Sequence, residues 1–550
     1  VARPASRPSD YLFGALVGFA VALSPASAQA GERRDRALAQ FDAVFSGEES
    51  SDCGTGALSS VHAAWDALSP EDRHRVELAS SPLYRSAVLA GEPSWLDGAQ
   101  TRTACLLPED IAGFASYEEA ATSEHFVVFR QSGAAPMAET VSETLALLEQ
   151  GLSSFGERGW REPAGLDSFQ MMVFLDARPP TLGGYTWVSP CDDVPGGFVD
   201  WLVLNEDWAR DDERAASLVA HELFHTIQRR YAWDELVTGW EESGARWFAE
   251  ASAVYEESLV FPQRTALTAA RSGLWSEQPW VALETFDGRR EYESFVLLLA
   301  VEAALETRAW HQALWESVDG RTGWSPLDEL GAQAGEIGFD GLFAEYLARA
   351  SEMDLPRVDY LVGPRDLDAF NGVDGGMAAR YTAVELPVSG AMEAGDPRGP
   401  QERGANYVWF GTTDAEPDQA LRLDVQLDPQ APGGEPVQWA LEVVAARAGA
   451  LVDRLSVQVA PGDDARVLVH GARGVDGVWL IASPVTASSA GPPGWSWSAR
   501  LTRGESALRL EQTAGGCGCA VNSGVSPLSP LSAFVLLGLL VAGRRRRWAT

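Results

Sequence analysis

The chain contains no lysine: all 42 of its strong bases are arginine, set against 78 aspartate and glutamate residues, for a formal net charge of −36. Nucleic-acid binding needs a clustered basic footprint, and this balance argues against it. The missing lysine reflects genome composition more than function. Long apolar runs are also missing. Tyr11–Leu23 and Leu531–Ala542 both fall short of the ~20 residues a helix needs to cross a bilayer. Cysteine is scarce, with five residues, and histidine amounts to only seven. With 550 residues and 46% hydrophobic content, the chain is long and apolar enough for two or three globular domains.

Two of the few histidines stand four apart, in His221-Glu222-Leu223-Phe224-His225. A chance His-Glu-x-x-His in so histidine-poor a chain has odds of about one in a hundred. On a helix, residues four apart share a face, so both imidazoles can reach one metal ion at about 2.0–2.1 Å. Glu222 projects roughly 100° away and can meet a water on that ion rather than the ion itself. Zinc lowers the pKa of such a water toward ~7, and a carboxylate beside it takes the proton. The flanks predict the helix. Asp211, Asp212 and Glu213 suit its positive N-terminal end, and Arg229 and Arg230 suit its C-terminal end. Ala215, Leu218, Val219, Leu223 and Ile227 form an apolar stripe at helical spacing.

A catalytic zinc usually takes three protein ligands. Glu242 is the first candidate for the third. It opens a second helical stretch, Glu241 to about Tyr255, whose Gly244, Ala245, Ala249 and Ala253 allow close packing on the first. Glu241 and Glu250 rank behind it.

Two His and a downstream Glu resemble the gluzincin clan of zinc peptidases. Trp240-Glu241-Glu242-Ser243-Gly244-Ala245-Arg246-Trp247 and His225-Thr226-Ile227-Gln228 are similar to a group of secreted bacterial metalloproteases, many of them myxobacterial. The likeness covers roughly residues 120–310. It implies His221, His225 and Glu242 as zinc ligands and Glu222 as catalytic base. Some gluzincins carry an Asp four residues after the ligand Glu to orient a His. Here Arg246 stands there, so a different group must do the orienting.

The rest of the chain is read around this site. Residues 1–30 are expected to be a signal peptide: Arg3 and Arg7, an apolar stretch, then Ala26-Ser27-Ala28 and Ala28-Gln29-Ala30. Residues 31–120 show helical patterns at Arg34–Phe45, Leu58–Leu68 and Glu71–Leu78, the last behind the start signal Ser69-Pro70. They form either a propeptide over the site or an N-terminal helical subdomain. Cys53 and Cys105 can pair in an oxidising compartment, and Cys191 is either free or paired with one of them. In residues 121–355, strands are expected at 124–129, 170–175 and 201–204, and an amphipathic helix at 137–155. Residues 177–198 read as a long Gly-rich loop, and His125 as structural. The order suits a zincin-like half-domain, with the last strand at the sheet edge, where an extended substrate pairs by strand addition. Asn205-Glu206-Asp207 reads as a turn or cleft lining. Helical patterns then run to 355. Tyr292, at the start of an apolar helix, is the candidate oxyanion donor, partly because the resembling group begins a helix with Tyr here. His311, on a stretch that reads as exposed, is next in order.

Residues 356–380 read as a linker. In 381–510, short strands such as Tyr407–Phe410, Leu421–Val425, Trp439–Val444 and Val478–Ile481 predict a β-sandwich. The fold class is therefore α+β: a zincin-like metalloprotease domain followed by a β-sandwich. In 511–550, Gly515-Gly516-Cys517-Gly518-Cys519, an apolar run and Arg544–Arg547 resemble the MYXO-CTERM sorting domain. That resemblance implies a myxosortase-type protease as partner and display on the cell surface, with the tail as membrane contact. The expected function is a surface-displayed zinc endopeptidase acting on peptides or proteins. The alternatives are a zinc aminopeptidase, disfavoured by the lack of a Gly-x-Met-Glu-Asn motif, and an inactive binding protein on the same scaffold.

Overall fold

The computed structural model describes residues 25–47, 51–81, 117–132, 138–191, 194, 198–234, 245–264, 266–318, 324–357, 378–459, 463–486 and 491–513. Residues 1–24 of the expected signal peptide (1–30), Cys105, Glu241, Glu242, most of the expected linker and the Cys517–Thr550 tail lie outside them. The chain is a mixed α+β protein with three sheets among the described residues.

The N-terminal part runs α1 (Pro25–Ser46), β1 (Ser51–Cys53), α2 (Thr55–Ala63) and α3 (Pro70–Ser80). The start signal of α3 is realised: the Ser69 side chain accepts from the Asp72 amide at 3.1 Å, and Pro70 occupies the first turn. There follow β2 (Tyr117–Thr122), β3 (Phe126–Gln131), α4 (Ala138–Glu157), β4 (Met171–Asp176), β5 (Leu182–Pro190), β6 (Phe198–Asn205), α5 (Glu206–Ala209), α6 (Asp212–Asp234) and α7 (Arg246–Val260). Helices α8 (Ala266–Glu277), α9 (Arg290–Glu293), α10 (Phe295–Leu305), α11 (Ala309–Val318), α12 (Pro326–Gln333) and α13 (Gly338–Glu352) complete the helical half.

The first sheet has the order β1-β5-β6-β4-β3-β2. Its centre, β3, β4 and β6, is parallel, while β5 runs antiparallel to β6. Both faces are covered, so these strands carry continuous apolar runs rather than alternation. Phe126, Val128, Val173, Leu202 and Leu204 face the core shared with α4 and α6. Val127, Phe129, Phe174, Trp201 and Val203 face the opposite way, onto Phe41, Val44, Leu58, Val61 and Val76 of α1 to α3. The N-terminal helices are thus the second layer of the sheet.

Three expectations are corrected here. The stretch 177–198 is not a continuous loop, because β5 lies inside it. Gly184, one of the glycines of that expected loop, serves a close approach instead. A Cβ on Gly184 would stand 2.9 Å from the Val203 carbonyl oxygen and 3.3 Å from Glu222 Cγ. The last strand before α6 is also not the edge. β6 is interior, and the edge beyond it belongs to β5, onto which β1 adds in parallel. Asn205 does not line a cleft. It is buried, donates to the Leu182 carbonyl at 2.7 Å, and caps α5 through the Asp207 amide at 3.0 Å.

Beyond residue 378 come β7 (Ala378–Tyr381), β8 (Val388–Met392), β9 (Asn406–Gly411), β10 (Gln419–Leu427), β11 (Trp439–Arg447), β12 (Ala450–Val457), β13 (Asp464–His470), β14 (Gly477–Pro484), β15 (Trp495–Arg503) and β16 (Arg509–Thr513). They form two five-stranded sheets, β16-β13-β10-β15-β8 and β12-β11-β14-β9-β7. Inward residues of both, among them Leu421, Leu423, Val467, Val443, Leu480 and Phe410, share one core. Glu352 of α13 accepts from Trp479 Nε1 at 2.7 Å, which ties this layer to the helical half.

Candidate metal centre

Helix α6 brings the His-Glu-x-x-His residues to the middle of the N-terminal core. His221, Glu222 and His225 are all buried, at 1%, 0% and 3% exposure. Helix α7 packs against α6 and presents Glu250 to both imidazoles. Glu250 Oε2 lies 3.0 Å from His221 Nε2 and 3.3 Å from His225 Nε2. Two atoms each bound at about 2.0–2.1 Å to one tetrahedral ion stand roughly 3.3–3.4 Å apart, so these separations suit a shared ion.

The outer ring nitrogens decide the protonation of the inner ones. His221 Nδ1 meets Glu257 Oε1 at 2.7 Å. A carboxylate only accepts, so Nδ1 carries the hydrogen and donates it. His225 Nδ1 meets Gln228 Oε1 at 2.8 Å, while Gln228 Nε2 donates to the Ala249 carbonyl at 2.9 Å. That second bond orients the amide and makes its oxygen the acceptor for His225. In the neutral imidazoles, both Nε2 atoms therefore turn lone pairs toward Glu250 Oε2, itself a lone-pair donor. Three such atoms cannot face one another in a dry interior without a cation between them. A divalent ion meets that need, and its fit to this donor set is good. A proton meets it less completely. Burial opposes charge on His221, but Glu250 and Glu257 on its two sides outweigh this and raise its pKa to about 9. Burial would also raise Glu250, yet His225 and His221 bring it down to about 2.

Glu257 is the orienting group that the Arg246 position left open. It sits two turns beyond Glu250 on the same face of α7. It also accepts from Ser217 Oγ and, at 2.5 Å, from Arg271 Nη1. Burial would raise its pKa, but Arg271, His221 and Ser217 lower it.

Glu222 lies against β5, its Cγ beside Gly184. Its Oε2 accepts from Thr55 Oγ1 at 3.2 Å, and Thr55 Oγ1 in turn accepts from the Thr186 amide at 3.0 Å. Arg229 backs this group, donating to Thr186 Oγ1 and, at 2.5 Å, to Asp200 Oδ1. Tyr292 is buried beside the centre, its ring 5.9 Å from that of His221, with the Arg271 guanidinium 5.3 Å from the tyrosine ring.

The structure thus gathers His221, His225, Glu222 and Tyr292. Glu242 and Glu241 lie outside the described residues, and the described carboxylate that meets both histidines is Glu250. The signal for it was present: Glu250 and Glu257 are seven apart, so one helical face carries both the carboxylate that meets the two histidines and the one behind His221. His311 is corrected from an exposed position to a core one. It is 1% exposed, with Nδ1 2.9 Å from Glu256 and Nε2 accepting from Trp315 Nε1 at 3.3 Å. The aromatic rings of Phe224, Tyr255 and Trp160 enclose it. His125 is satisfied by Glu149 at 2.7 Å. Cys191 is buried and disulfide-bonded, which removes its reading as a free thiol. No helix among the described residues is long and apolar enough to cross a membrane.

Neither a family model nor a curated protein matches the chain.

Proposed function

We propose that this chain is a zinc-dependent endopeptidase on a zincin-like scaffold. The observation that carries the reading is the convergence of His221 Nε2, His225 Nε2 and Glu250 Oε2 on one point, each with its lone pair turned inward. His221, His225 and Glu250 would hold the ion, which supplies Lewis-acid polarisation of the scissile carbonyl and a more acidic water. Glu222 takes a proton from the attacking water as its oxygen bonds to the carbonyl carbon. It returns that proton to the amide nitrogen as the C–N bond breaks. The Tyr292 hydroxyl donates to the oxyanion that develops on the carbonyl oxygen. Glu257 and Gln228 hold the two imidazoles in the tautomer that keeps Nε2 unprotonated.

The proposal extends to placement of the protein: export by the N-terminal segment, and display at the outer surface through the Cys517/Cys519 tail and its sorting protease. This part rests on the sequence patterns alone.

Two measurements test the reading. Purified wild-type chain should carry about one zinc, with four donor positions of which three are protein. It should also cleave internal bonds of blocked peptides. Glu222→Gln should keep the zinc and lose cleavage. Full cleavage by that variant, or a wild-type chain that takes up no zinc, would overturn it.

A further inference from the structure

The candidate centre is buried, and a segment of the chain's own N-terminal layer lies against its Glu222. His221, Glu222, His225 and Glu250 are all 3% exposed or less, whereas an extended substrate must reach them. The outer edge of β5 is the sheet edge nearest the base, since Gly184 of β5 abuts Glu222 Cγ. That edge is taken. β1 pairs with it in parallel, Ser51 opposite Leu182 and Cys53 opposite Gly184, and the Gly54 amide donates to the Gly184 carbonyl at 2.7 Å. The next residue, Thr55, puts its hydroxyl on Glu222 Oε2.

We propose that residues 51–55 are an autoinhibitory strap: they occupy the backbone-pairing edge of β5 and the carboxylate of Glu222, and a peptide substrate enters by displacing them. This rests on the hydrolase reading for its chemistry, though the occlusion itself is geometric. The strap is short, pairing at two positions, while its flanks are anchored through Phe41, Val44, Leu58 and Val61 on the second face of the sheet. It can therefore lift without loss of the layer. A parallel strand of three residues offers few bonds, and an antiparallel peptide of greater length can outcompete it. Thr55 donates its hydroxyl to Glu222 Oε2, so lifting the strap returns that oxygen to the water it must deprotonate.

The test uses the full zinc-loaded chain with fluorescein-labelled casein. Gly54→Pro removes the amide that bonds Gly184 and crowds Leu182 and Phe45, whose atoms lie 3.2 and 3.3 Å from a Cβ there. Thr55→Val removes the hydroxyl at nearly constant volume, and Thr55→Ser keeps it. If the open form is on the order of a tenth of the wild-type population, both Gly54→Pro and Thr55→Val raise kcat/KM about tenfold, and Thr55→Ser stays near wild type. A synthetic peptide of residues 51–57, carrying Ser in place of Cys53, should then inhibit the Gly54→Pro chain. Equal rates in wild type and both variants overturn the strap. A fall in kcat for Thr55→Val with rescue by Thr55→Ser also overturns it, and assigns Thr55 to positioning Glu222. Should no chain hydrolyse casein, the hydrolase reading fails separately. Binding of the labelled 51–57 peptide to Gly54→Pro but not to wild type then still supports the strap, and binding to both or neither overturns it.

Discussion

Glu257 Oε1 stands 2.7 Å from His221 Nδ1, on the far side of the imidazole from Glu250, so His221 is held between two carboxylates of one helix. Glu257 sets the tautomer, and Glu250 completes the donor set. A group that orients a ligand from behind typically changes metal affinity about 10–100-fold. Glu257→Gln should therefore weaken zinc binding by that range in competition with a chelator, with little change in the far-UV spectrum. Unchanged affinity would mean that Arg271 and Ser217, not His221, are the reason for a carboxylate there.

Glu250 and Glu242 make opposite predictions. Glu250→Gln should reduce zinc from about one per chain to a small fraction, since one of three protein ligands is lost. Glu242→Gln should retain it. Metal analysis after dialysis separates the two. Zinc lost only in the Glu242 variant would move the third ligand out of helix α7.

Tyr292 lies beside His221 with no place in the donor set. Loss of one oxyanion donor costs about 10²–10³ in kcat. Tyr292→Phe should lower kcat at least toward that range while KM and zinc content hold. A matching rise in KM with kcat intact would reassign Tyr292 to substrate packing.

Glu442 offers a pH test far from the metal. It is buried on β11, and burial raises its pKa from 4.5 to about 7 against the opposing Ser456 hydroxyl at 2.9 Å and Arg454. Below pH 4.5 the group is protonated folded or unfolded. Between 4.5 and about 7 the folded chain keeps a proton that the unfolded chain releases, so stability falls as pH rises, and above about 7 the loss is complete. Glu442→Gln removes this slope. Urea melts should show the variant gaining over wild type at pH 8 relative to pH 4.5, by at most roughly 3 kcal/mol. A constant difference across that range would show that Glu442 titrates normally.

Much of the molecule could be read along the chain. His221 and His225 are placed by the 3.6-residue turn alone, and the acidic start of α6 follows from the same helix, which runs past Arg229 and Arg230 to Asp234. β3, β4, β6 and α4 follow from apolar runs and stripes that are local properties of the backbone. Ser69-Pro70 starts a helix by capping geometry that needs no distant partner.

Other features depended on what meets what. Gly184 carries the same local signal in a loop as in a strand, and only the pairing of β5 with β6, with Glu222 beside it, makes it a strand residue. His311 sits in a segment of mixed polarity, and only the packing of Phe224, Tyr255 and Trp160 around it makes it a core residue. Local sequence ranks Glu242 ahead of Glu241 and Glu250, and only the crossing of α7 over α6 brings Glu250 to both histidines. The same holds for Thr55, 167 residues from Glu222 along the chain and in hydrogen-bond contact with it in the fold. Helical period and apolar patterning act over a few residues and are written in the sequence. Which carboxylate meets both histidines, and which strand lies against Glu222, is decided by the docking of elements far apart in the chain.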